Sequence, residues 1–144
     1  MEVKKVECTG KCYFVLLLAL FQFMECGILL IVMLKCKVQG FFAYVLLDLI
    51  LVMLCSIAIY FLLYWKNKKI VMSDNEIIYY PIIGKVRTYS WNDIKKIYYK
   101  SGLRGHSRLV IETEKNIYMD CEMMKNCGEI VKLIMKKGYL KTNI

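Results

Sequence analysis

Histidine occurs once in this chain of 144 residues, as His106, and proline once, as Pro81. Acids are outnumbered, twelve Asp and Glu against twenty-one Lys and Arg. One histidine leaves no basis for a His-rich zinc centre, an H-E-x-x-H helix or a Ser-His-Asp triad, and no Walker-type glycine loop is present. The Gly102–Gly105 turn lacks the Lys-Ser/Thr partner that cradling a phosphate needs. Seven cysteines are scattered, and only Cys8 and Cys12 form a close pair, at the edge of an apolar run. Without a second pair no metal site is expected. No catalytic residue, metal or cofactor is therefore expected, and the chain reads as a non-enzyme.

Lysine and arginine are also missing from two long stretches, residues 12–34 and 41–65. Each is long and apolar enough to cross a bilayer. The six-residue link Lys35–Gly40 is too short for anything but an antiparallel pair, so both chain ends are expected on one side. Lys4, Lys5, Lys11, Lys66, Lys68 and Lys69 flank that side, against Lys35 and Lys37 in the loop. This bias predicts a multi-pass protein of the cell membrane with both termini cytoplasmic. Tyr60, Tyr64 and Trp65 are expected as an interfacial belt at the inner end. Three domains follow: an N-terminal tail (1–11), a transmembrane hairpin (12–65) and a cytoplasmic domain (66–144).

The spans carry three polar residues of interest, Gln22, Glu25 and Asp48. A carboxylate in hydrocarbon is costly, about 2.5–3.5 kcal/mol on insertion scales. Counted from the outer ends, Glu25 and Asp48 fall at similar depth, which suggests a titrating pair or a contact with another helix. Gln22 and Ser56 are the candidate hydrogen-bond partners.

After Lys69 the pattern changes to short alternating runs. Lys69–Met72, Ile77–Tyr80, Lys85–Trp91, Ile94–Lys100, Arg108–Thr113 and Asn116–Asp120 read as about six antiparallel strands. Met123–Lys137 switches to three- and four-residue spacing, predicting an amphipathic helix stopped by Gly138. Residues 66–144 hold sixteen Lys and Arg against eight Asp and Glu. Lys66, Lys68, Lys69, Lys85, Arg87, Lys95, Lys96, Arg104 and Arg108 are the candidate contacts to anionic lipid or an acidic partner. Tyrosine pairs at 79–80 and 98–99 could stack bases. No nucleic-acid motif accompanies them, so no nucleic-acid partner is expected.

Val71–Tyr79, the Ser90-Trp91-x-Asp93-Ile94-x-x-Ile97 step within Thr88–Ile97, the two later strands and the closing helix resemble the bacterial pleckstrin-homology-like membrane proteins. That resemblance implies a curled antiparallel sheet with a C-terminal helix, an α+β PH-like domain behind a helical hairpin. The function expected on these grounds is a membrane-anchored interaction module contacting a partner protein or the inner leaflet, with membrane lipid as one partner and a homo-oligomer as another option. The alternative is a small transporter or channel subunit in which Glu25 and Asp48 titrate.

Overall fold

The computed structural model describes residues 5–36, 40–101 and 107–140. Two long helices dominate, α1 (Tyr13–Lys35) and α2 (Phe41–Asn67), packed side by side. Neither has a side-chain N-cap. At 1.5 Å per residue their 23 and 27 residues span about 34 and 40 Å. Hydrocarbon is only about 30 Å thick, less than the length of α2, whose last turns lie against the rest of the protein. There they meet the soluble domain: Tyr64 is buried, and Phe61 and Trp65 pack against the same core. The belt expected at Tyr64 and Trp65 is thus turned inward against protein. The Tyr64 hydroxyl has no hydrogen-bond partner among the described residues.

The first strand, β1 (Val6–Thr9), lies ahead of α1, within what sequence alone suggests is a tail. It pairs antiparallel with β2 (Lys69–Met72), which follows α2, in the register Cys8 opposite Ile70. The pair of long apolar helices is therefore an excursion between two neighbouring strands. β3 (Glu76–Tyr80) and β4 (Arg87–Ser90) complete a sheet in the order β1-β2-β3-β4. A separate sheet follows, β5 (Lys96–Ser101), β6 (Ser107–Glu112) and β7 (Ile117–Met119), in sequence order.

These are two open sheets, so the single curled sheet of a PH-like domain is not formed. The Ser90–Ile97 step gives the reason. Ser90 N donates to Asp93 Oδ2 at 2.7 Å while Asn92 N donates to Ser90 Oγ at 3.2 Å, a capping box on the 3₁₀ turn Trp91–Asp93. That turn ends β4 and starts the second sheet without a ladder between them. Trp91 is buried at its centre, its Nε1 donating to the Ser73 carbonyl at 2.9 Å.

One core joins all these parts. Cys8, Ile70, Met72 and Ile77 come from the first sheet, and Ile97, Leu109, Ile111 and Ile117 from the second. Ile130 and Ile134 come from α3 (Cys127–Lys136), and Val15 and Tyr64 from the hairpin ends. α3 starts four residues later than its periodicity predicts. Lys125 is held to β1 by two backbone bonds, Thr9 N to Lys125 O at 3.2 Å and Lys125 N to Thr9 O at 2.8 Å. That pairing keeps Met123–Asn126 out of the helix. A disulfide joins Cys121 to Cys127 across the same turn, with Cα atoms 5.3 Å apart.

The helix register has a direct test. Cys26 and Cys55 sulfurs meet at 3.5 Å between α1 and α2. Mild oxidation of membranes is expected to cross-link these two within one chain, read as a mobility shift reversed by reductant. No cross-link, or one formed only between chains, would reject the packing.

Candidate functional site

Where the hairpin enters the soluble domain, the chain crosses itself closely. Gly10 N donates to the Lys68 carbonyl at 2.7 Å. A Cβ on Gly10 would lie 2.4 Å from the Tyr64 carbonyl oxygen, so only glycine lets the strand pass the helix end.

Beside this crossing a cleft of about 720 Å³ opens on the outer side of the first sheet. Lys11, Lys66 and Lys69 bring ammonium groups to it, and Glu7 brings a carboxylate. Lys69 Nζ pairs with Glu7 Oε1 at 2.9 Å, so that acid is already engaged. Lys11 and Lys66 are exposed. The far wall is the 81–86 turn, where Gly84 has a φ of 113° that favours glycine. Asn67 Nδ2 donates to the Ile82 carbonyl at 2.9 Å, tying this turn to the end of α2. Ile83 is 76% exposed and Val86 51%.

A second group of cations is not part of this cleft's open side, and of these only Lys68 reaches into the core. Lys68 is buried, its Nζ donating to the Tyr79 hydroxyl at 2.9 Å and standing 4.8 Å from that ring's centroid. The Arg87 guanidinium lies 5.9 Å from the same centroid. Arg108 pairs with Asp120 across β6 and β7, within electrostatic reach of Tyr60 and Tyr64. Through Lys68 and Tyr79 the first sheet is tied to the C-terminal end of α2.

The predicted cations thus separate. Lys66, Lys68 and Lys69 line the cleft, and Lys85 sits on its exposed turn. Arg87 and Arg108 belong to the second group. Lys95 and Lys96 are exposed beside β5, away from both, with Lys96 Nζ 5.6 Å from the Tyr98 ring centroid. Arg104 and His106 lie outside the described residues. Glu7, Thr9, Ile83 and Val86 join the site without having been singled out from sequence, and Lys11, read there only as a flanking charge, joins them. The available signals were the Val6-Glu7-Cys8-Thr9 alternation and an aliphatic pair placed in a turn.

The intramembrane acids are not brought together. Carrying the Cys26–Cys55 register along the antiparallel pair sets Glu25 level with Ser56 and Asp48 level with Met33. The acids are then about 12 Å apart along the axis. Glu25 accepts from Gln22 Nε2 at 2.6 Å, as anticipated. Ser56 donates instead to its own helix, to the Val52 carbonyl at 2.7 Å. Asp48 is exposed on the hairpin's outer surface.

Cys8 is fully buried, and burial pushes its thiol up to about 12 against the opposing charge of Lys68. It stays a protonated core side chain, unsuited to acylation or redox exchange. Among the described residues no group of His, Cys, Asp and Glu could hold a metal. Two apolar helices and a folded α+β unit make this a membrane-anchored module in coarse terms. No family model, curated protein or solved structure matches the chain, and the resemblance to pleckstrin-homology-like proteins is accordingly withdrawn.

Proposed function

We propose that the protein is a non-enzymatic interaction module of the cell membrane, with both termini and the soluble domain on the cytoplasmic side. Its basic surface there meets an acidic protein partner or the anionic inner leaflet. One observation carries this reading: β1 and β2 pair across the hairpin's two ends, with Val15 and Tyr64 in the domain's own core. The domain therefore has a fixed seat at the membrane surface, where an anchored binding surface is useful. A transport role loses its main support, because Glu25 and Asp48 sit at different depths and Asp48 faces outward.

The side of the membrane rests on the lysines at the hairpin's ends. The Cys121–Cys127 disulfide points the other way, since such bonds are rare in reducing compartments. The lysine bias weighs more. Six residues apart around one turn, these two cysteines are held close by the local backbone, so a reducing compartment would leave a neighbouring pair of thiols there.

The test uses the full chain in sealed cells and then in sealed vesicles. Cys36 is exposed at the hairpin's outer end. A membrane-impermeant maleimide is expected to modify Cys36 from outside, while Cys8 stays unmodified even after permeabilisation. Reconstituted vesicles are expected to show proton flux no greater than protein-free vesicles. Protection of Cys36 together with protease cleavage at the exposed Lys85 from outside sealed cells would reverse the orientation. Flux abolished by Glu25→Gln with Asp48→Asn would replace the module reading by transport.

A further inference from the structure

We propose that the junction cleft binds the phosphate-bearing headgroup of an anionic phospholipid, with Ile83 and Val86 inserted among the acyl chains. This rests on the reading that the domain is seated at the inner leaflet, and it names the ligand and the residues.

Position comes first. Leu63, Lys66 and Asn67 line the cleft from the final turns of α2, where the apolar span ends, and Lys11 lines it from just before α1. The cleft therefore lies level with the headgroups. Charge comes second. Lys11 and Lys66 carry exposed ammonium groups, and Lys69 spends one donor on Glu7, leaving two. Thr9 adds a hydroxyl. Among the described residues the only carboxylate in the lining is therefore already paired, and the remaining positive charge faces a phosphate. A zwitterionic headgroup would bring its own ammonium against these lysines; an anionic one would not.

Apolar surface comes third. Among the described residues outside the two long helices, Ile83 and Val86 are the most exposed large aliphatic side chains. Exposing them to water on an ordered turn is unfavourable, and inserting them into the leaflet removes that cost. The turn cannot swing away freely, because Asn67 holds it by the Ile82 carbonyl. Lys85, exposed on the same turn, has a four-carbon stem that reaches back to the headgroup level. A basic cleft with an aliphatic lip, fixed beside a membrane helix, matches a lipid in both its parts.

The experiment uses full-length protein in detergent, with phosphatidylglycerol or phosphatidylcholine added, and reads bound lipid by native mass spectrometry. Phosphatidylglycerol is expected to be retained in preference. At about fivefold per lysine, Lys11→Gln with Lys66→Gln is expected to weaken that retention about 30-fold. Both side chains are exposed, so folding is preserved. The equally basic pair Lys95→Gln with Lys96→Gln should leave retention unchanged. Equal retention of the two lipids, or an equal loss in the second pair, overturns the site. So does displacement by inorganic phosphate, which would make the ligand a free anion.

A second measurement separates this site from the reading beneath it. An environment-sensitive fluorophore on Ile83→Cys, with Cys12 and Cys36 replaced by serine, is read in phosphatidylglycerol nanodiscs. Emission typical of an apolar setting supports insertion of the turn. Apolar emission without any phosphatidylglycerol preference overturns the headgroup site and leaves the seat at the leaflet standing. Emission typical of water overturns both.

Discussion

Trp91→Ala is expected to unfold the soluble domain at growth temperature while leaving the hairpin in the membrane. The indole is buried at the turn between the two sheets, and its Nε1 donates to the Ser73 carbonyl. It stacks against Tyr139 at 5.7 Å between centroids, and the Tyr139 hydroxyl donates back to the Trp91 carbonyl at 2.9 Å. Truncating a buried aromatic costs about 3–5 kcal/mol, and stranding the Ser73 carbonyl adds about 1 kcal/mol or more. A domain this small has about 5 kcal/mol to lose. Limited proteolysis against temperature in detergent should show residues 66–144 cut at least about 12 °C earlier than in the parent. Trp91→Phe keeps the ring and loses only the N–H, so it should fall between. A Trp91→Ala protein as protease-resistant as the parent would reject the packing.

Gly10→Ala is expected to peel β1 from the sheet. The added methyl would meet the Tyr64 carbonyl at 2.4 Å, a backbone atom that no rotamer change can move. Over-packing of this kind costs about 1–3 kcal/mol, comparable with what a four-residue edge strand contributes. The expected result is faster amide exchange at Cys8, Gly10 and Lys125, with α1 and α2 unaffected. Gly27→Ala is the matched control. Nothing lies within 4 Å of the position its methyl would take, on the surface of α1. Exchange in β1 unchanged by Gly10→Ala would show that the crossing has room for a methyl group.

Much of the architecture was legible from the residues. Both long helices were placed to within two residues at each end, because an apolar run of twenty or more residues has few alternatives to a helix. The strands from Lys69 to Met119 followed from alternation and from turn residues such as Ser73–Asn75, whose Ser73 hydroxyl accepts from Glu76 N at 3.1 Å. β1 was not legible. Four residues beside lysines and an apolar run read as a charged flank, and their partner strand lies some sixty positions away.

Sheet closure was equally hidden. The Ser90–Asp93 step looks the same in sequence whether its strands join one sheet or two; the capping box decides it, and that is a matter of geometry. The cleft shows the same limit. Lysine count is readable, but convergence is not: Lys66 and Lys69 meet Lys11 only because β1 returns to them, while Lys95 and Lys96 do not.

The interleaving of strand, hairpin and strand has a consequence for biogenesis. The ribosome delivers β1 first, then both spans, and only then the segment it must zip against. A nascent chain whose second helix failed to turn back would leave Val6–Thr9 and Lys69–Met72 on opposite faces of the bilayer, and no sheet could assemble. With both helices crossing the bilayer as proposed, the seam between those strands can close only where the hairpin starts and ends on the same face.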